Sequence, residues 1–174
     1  MKHDYSGILD FFRTGQLGEL RLGMSVDEVV DYFGDDYIQR GIFPDKHRNI
    51  YRTILCYGIL DILAINNALE HITLHISKYP EYALPDALDS RWLPFFYTMT
   101  MRKFHDFAIE HHLKICVTPI HSHLSKVMVV TGKLYIAVSF ETMGFDPEDK
   151  LLKHIMFATY HKLPVNAKPW QFPK

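Results

Sequence analysis

The chain carries 11 histidines against only 2 cysteines, so imidazole is the side chain best placed to do chemistry. His121-Ser122-His123 sets two imidazoles two residues apart. On an extended segment they point to one side, ~7 Å apart at the backbone. Zinc holds each imidazole nitrogen at about 2.1 Å. Such a pair can begin a site, and His111 and His112, at the end of an expected helix, could supply a further ligand. His71 and His75 also share a strand face, but four strand residues span ~13 Å, too far for one ion. A His-dependent, metal-binding hydrolase is therefore one reading, with zinc as its cofactor. Against it, there is no His-Glu-x-x-His and no Cys-x-x-Cys. Histidines at a helix C-terminus also have a plainer role, complementing the dipole.

Other catalytic schemes have less support. The chain has no Gly-x-Ser-x-Gly elbow, no Walker loop and no Gly-x-Gly-x-x-Gly turn. Asp35-Asp36 follows a helix stop and reads as a turn. The net charge is -1, without the basic excess of a generic nucleic-acid binder. Basic residues do not interleave with the 10 Tyr and 12 Phe as base-stacking platforms require. No run approaches the ~20 apolar residues of a membrane span, and no signal-peptide pattern opens the chain. Cys56 and Cys116 lie in apolar, strand-like runs and read as two buried thiols of a reducing compartment. The expectation is a cytoplasmic protein with neither nucleic acid nor membrane as partner.

Near-neutrality conceals a split. Residues 1–90 hold 8 Lys+Arg and 14 Asp+Glu, a net of −6, and residues 91–174 hold 11 and 6, a net of +5. Opposite halves imply two distinct faces or two mutually attracted modules.

The elements that must position these groups read as follows. Residues 6–14 form a helix capped by Ser6, with Ile8, Leu9, Phe11 and Phe12 on its apolar face. Ser25-x-x-Glu28 is a capping box, and Met24 staples onto Val29. Val26, Val29, Val30 and Phe33 make one stripe before the Gly34 stop. Residues 41–49 read as a polar loop. Strands are expected at 52–57, 60–66 and 69–77, turning at Gly58 and Asn66-Asn67. On the third strand His71, Thr73 and His75 face away from Ile72, Leu74 and Ile76. Residues 79–95, with three prolines between 80 and 94, read as a linker partly packed through its aromatics. Then come a helix near 98–112, a strand at 114–118, and a hairpin of 126–130 with 133–140. A helix is expected to start at Asp146-Pro147-Glu148 and to continue through Ile155, and 163–174 forms a Pro-rich tail.

The fold class is thus α+β, an antiparallel sheet or sheets with helices packed on one face. The organisation is a 1–78 module of two helices and three strands, the 79–95 linker, a second helix-plus-strands module at 96–162, and the tail. The order of residues 6–77, with Gly23-Met24-Ser25-x-x-Glu28-Val29 ending in Phe33-Gly34, resembles the small modules of the SmpA/OmlA (BamE-like) lipoproteins and of β-lactamase inhibitory protein. It is also similar to small cytosolic bacterial immunity proteins. The resemblance implies the fold and a habit of binding proteins across a sheet face. The function expected is a non-enzymatic protein-binding module, an immunity-type inhibitor of a partner protein. His71, Thr73 and His75 would supply its polar face, and Tyr79, Tyr82 and Trp92 its aromatic anchors. A sheet-mediated homodimer is a further alternative.

Overall fold

Two short amphipathic helices lead into strands. The structure is a computed structural model that describes residues 4–45, 50–77, 84–117, 124–131, 134–141, 154–160 and 168–169. Helix α1 (Ser6–Thr14) buries Ile8, Leu9, Phe11 and Phe12 and stops at Gly15, whose φ is +77°. Its cap differs from the expectation. Ser6 is the first helical residue, and the Asp4 carboxylate accepts from its N–H (3.0 Å) and hydroxyl (2.8 Å). A carboxylate suits the positive end of the dipole better than a hydroxyl does. Helix α2 (Val26–Phe33) has the capping box in full. Ser25 Oγ accepts from the Glu28 N–H at 3.2 Å, and Glu28 Oε2 accepts from the Ser25 N–H at 2.8 Å.

Eleven further elements follow among the described residues, nine of them strands of one sheet. Strands β1 (Ile38–Asp45), β2 (Ile50–Tyr57), β3 (Leu60–Ile65) and β4 (Ala68–Ser77) form an antiparallel meander. Then follow α3 (Leu93–Phe96) and α4 (Met101–Glu110), capped by Thr100, whose side chain accepts from the Lys103 N–H. Strands β5 (Ile115–Val117), β6 (Leu124–Thr131), β7 (Leu134–Glu141) and β8 (His154–Tyr160) form a second meander, and β9 is Lys168–Pro169. The sheet order is β1-β2-β3-β4-β8-β7-β6-β5-β9. The two meanders therefore meet through their last strands, β4 and β8, within one nine-stranded antiparallel sheet.

Two expectations need correction. Ile38–Asp45 is a strand, so residues 41–45 are not loop; pairing with β2 outweighs a local sequence containing Gly41 and Pro44. Ile155 lies in β8 and not in a helix, because it pairs with Ile76 on one side and Phe140 on the other. Where it is described, the 79–95 stretch packs into the core, through Leu84, Leu88 and Leu93 as well as the aromatic Trp92. The start of the expected 146 helix and most of the tail lie outside the described residues.

Register separates the two sheet faces. Tyr57, Leu60, Leu74, Phe157, Val138 and Val127 pair in one row. Tyr57, Leu60, Leu74 and Val138 of that row are buried, and they share one hydrophobic cluster with Phe11 and Phe12 of α1, Val29 of α2 and Phe104 and Phe107 of α4. Burying each such side chain contributes ~1.5–3 kcal/mol. Thr131 Oγ1, on β6, donates to the Arg13 carbonyl of α1 at 2.6 Å. The opposite face shows a second row: Ile38, Cys56, Asp61, Thr73, Ala158, Ala137, Met128, Cys116 and Pro169. Both cysteines are buried thiols outside any disulfide. Six strand spacings, ~29 Å, separate them, far beyond disulfide reach.

Candidate functional site

Strand β4 positions the expected polar face. His71, Thr73 and His75 are half-buried and alternate with buried Ile72, Leu74 and Ile76. His75 Nε2 lies 3.0 Å from Asp61 Oδ2. Asp61 directly opposes Thr73, so this pair is a diagonal cross-strand contact. An Asp–His pair invites the question of a nucleophile. Ser139 has a buried Oγ with no hydrogen-bond partner among the described residues, and it shares a row with His75 through Met156. Two strand spacings put it ~10 Å away at the backbone. A hydroxyl that far off cannot pass its proton to the imidazole, which requires direct hydrogen-bond reach or one bridging water. The pair is thus a sheet contact and not half of a serine triad.

Of the histidines expected to bind metal, His111 and His112 lie among the described residues. His112 is exposed at φ +56°, just past α4. The His111 ring lies 4.5 Å from Phe107 and 5.7 Å from Tyr5, and its Nε2 is buried without a hydrogen-bond partner among the described residues. Among the described residues no three His, Cys, Asp or Glu side chains come together to hold a metal. His121, His123, Tyr79 and Tyr82 lie outside the described residues. Trp92 is 0% exposed and meets Phe96 edge-on at 5.6 Å. It is a core residue and not an exposed anchor, because α3 turns it inward beneath α1.

What the structure assembles instead lies on the helix side, around residues 84–89. One cavity, about 250 Å³, is bounded by Gly7, Asp10 and Thr14 of α1, by Gln16–Gly18, and by Leu88 and Asp89. A second, about 350 Å³, is bounded by Phe33, Asp36, Tyr57, Gly58 and Leu84–Ala87. Tyr32 lies between them: its Oη donates to the Ala87 carbonyl at 3.3 Å and accepts from the Glu19 N–H at 3.5 Å. Sequence reading assigned this stretch to a linker. The overlooked signal was Leu84 and Leu88, four residues apart among prolines and aspartates.

Electrostatics there has one sign. Residues 4–37 hold eight Asp or Glu against two Arg, a net of −6. Asp10, Glu19, Asp27, Glu28, Asp31, Asp35 and Asp36 are all exposed, as is Asp86 beside the second cavity. One ion-pair cluster is internally matched. Arg91 donates to Asp89 through Nε at 2.8 Å and Nη2 at 2.9 Å, and its Nη1 lies 2.9 Å from Asp4. The side-chain bond from Arg91 holds the Asp89 carboxyl below its ordinary range. The Asp4 carboxyl is lowered chiefly by the Ser6 N–H. Burial pushes the Tyr57 phenol, beside the second cavity, up to about 12, with Tyr37 and Asp35 adding to the shift.

No helix among the described residues is long and apolar enough to cross a membrane. Comparison with protein-family models, with curated proteins and with solved structures finds no match to this chain.

Proposed function

We propose that this protein is a non-enzymatic binding module, an inhibitor of the immunity type, that captures a basic protein through the surface of α1, α2 and residues 84–89. The observation that carries the reading is the net charge of −6 over residues 4–37, with seven of its eight acids exposed. A surface of one sign speeds encounter with an opposite partner and rejects like-charged ones. The two adjoining cavities supply relief into which partner side chains can lock. The sheet edges favour a separate partner over a sheet-mediated dimer of this chain. Edge strand β1 carries Pro44 and a register shift between Gln39 and Ile42, and edge strand β9 carries Pro169. Proline and bulges are the standard protection against edge-to-edge pairing. The compartment we propose is the cytoplasm, in keeping with two buried thiols not joined in a disulfide.

The test is capture of a partner from native cell extract by the wild-type chain and by a triple variant, Asp31→Lys, Asp35→Lys and Asp36→Lys. The expected partner is basic, associates at least ~10-fold more slowly with the variant, and loses affinity with rising salt. A partner that is acidic, or that both proteins retain equally, would refute the reading.

A further inference from the structure

The cavity beside α1 contains chemistry left unused by general charge attraction. Gly7, Asp10 and Thr14 fall at i, i+3 and i+7 and form one wall. Leu17 and Leu88, only 2% and 6% exposed, make apolar surfaces within it. Two carboxylates border the space, and their states differ. Asp89 is already matched by the two hydrogen bonds from Arg91. The Asp10 carboxylate has no ion-pair or hydrogen-bond partner among the described residues, although its main-chain carbonyl accepts from Thr14 Oγ1. The cavity thus presents one unmatched negative charge next to buried hydrocarbon.

A separate observation concerns a donor. Trp92 is fully buried, and its indole N–H has no acceptor among the described residues. Buried donors are nearly always paired, so an orphan needs an explanation. Trp92 Nε1 lies 3.7 Å from the point a Cβ on Gly7 would occupy, and Asp89 Oδ2 lies 3.6 Å from that same point. Gly7 and Asp89 both border the cavity. Gly7, which has no side chain, therefore stands between the cavity and this unpaired, solvent-inaccessible donor, one helical turn from Asp10.

A volume of about 250 Å³ is below the ~300–1,000 Å³ usual for small-molecule sites. It suits one residue of a larger ligand. An unmatched carboxylate calls for a cation, apolar walls call for a hydrocarbon stem, and the indole N–H calls for a carbonyl oxygen. Lysine and arginine in a peptide combine all three. We infer that this cavity is the anchor pocket for one lysine or arginine of the basic partner. The stem lies along Leu17 and Leu88, the cation meets Asp10, and the residue's main-chain carbonyl accepts from Trp92 past Gly7 as the indole edge is uncovered on binding. The inference rests on the protein-binding reading and gives it a specific contact.

The test uses the full chain labelled with ¹⁵N and titrated with N-acetyl-arginine methylamide. N-acetyl-citrulline methylamide, which has nearly the same shape but no charge, is the control. The indole N–H resonance, assigned with Trp92→Phe, should shift saturably with the arginine compound and at least ~10-fold more weakly with citrulline. Asp10→Asn and Gly7→Ala should each weaken binding by ~10-fold. Gly7→Ala keeps the test clean, because alanine is the better helix former and its Cβ would make only ordinary contacts. An equal response to citrulline, or unchanged affinity in both variants, overturns the pocket. If a basic partner is captured but ignores Asp10→Asn, and the indole stays silent, the pocket falls and the protein-binding reading stands. If the arginine compound binds but no basic partner is captured, the partner reading falls and takes the anchor role with it.

Discussion

Replacing Gly18 by alanine tests how tightly the 84–89 segment is held against the helices. Gly18 has φ +61°, and a Cβ there would lie 2.9 Å from Leu88 Cδ2 and 2.9 Å from Tyr32 Oη. Both atoms end side chains, but neither is free to retreat. Leu88 is buried, and Tyr32 Oη is held by the Ala87 carbonyl and the Glu19 N–H. Gly23 is the matched control: its φ is +88° and nothing lies within 4 Å of its Cβ position. A left-handed conformation costs a non-glycine residue ~1–2 kcal/mol in either place. Gly18 sits nearer the ideal left-handed φ of about +57°, so its backbone strain is no greater than that of Gly23. Any excess loss must come from the contacts. Overpacking of this kind costs ~1–3 kcal/mol. Gly18→Ala should therefore cost ~2–5 kcal/mol and Gly23→Ala ~1–2 kcal/mol. At ~2–4 °C per kcal/mol for a chain of this length, Tm should fall by ~4–20 °C and ~2–8 °C respectively. Urea unfolding with unchanged m values would assign the difference to the native state. Equal losses in the two variants would refute the close approach of Leu88 and Tyr32, and with it the fixed shape of the first cavity.

Three further outcomes follow from particular contacts. Ser25→Ala removes the acceptor for the Glu28 N–H and should cost ~1 kcal/mol in urea unfolding, whereas Ser25→Asp should restore most of it. Tyr57→Phe deletes the bond from Tyr57 Oη to the Gly34 carbonyl, 3.1 Å, and should cost ~1 kcal/mol at neutral pH. The same variant should respond to alkali in a defined way. The folded phenol titrates at about 12, so the unfolded chain releases its proton first, above pH ~10. Stability should be whole below that value and decline as pH rises toward 12, with a shallower decline in Tyr57→Phe; identical alkaline unfolding curves would contradict this. Cys56 and Cys116 should form no intramolecular disulfide under oxidation, and reductant should leave Tm unchanged, because ~29 Å of sheet lies between them.

Local sequence and distant contacts contributed unequally to this molecule. The capping box of Ser25 and Glu28, the Gly15 stop, and the turns at Gly58 and Asn66-Asn67 were legible because each is settled by interactions within four or five residues. So were the alternating strands around Ile72 and Leu74, since burial on one face imposes a period of two. Strand β1 was not legible: residues 38–45 include Gly41 and Pro44 and become a strand by pairing with β2. The same holds for Ile155, which has an apolar neighbourhood compatible with helix or strand until Ile76 and Phe140 flank it.

The candidate site divides along the same line. The charge asymmetry, −6 against +5, needed only counting. That Asp10 and Asp36, two of the seven exposed acids of residues 4–37, border cavities depended on where residues 84–92 return to α1 and α2, a long-range event with no periodic signature. Trp92 shows the difference most directly. By residue type it suited a surface anchor as well as a core; its complete burial under α1, with the indole N–H facing the one helix position that lacks a side chain, was decided by packing alone. Composition and short-range pattern determined the elements and the sign of the surface. Only the tertiary structure decided what surrounds these carboxylates: Asp89 meets Arg91 two residues away, a local contact, but the same Arg91 reaches the distant Asp4, and Asp10 borders a cavity with Leu88 only because the 84–92 segment returns to α1.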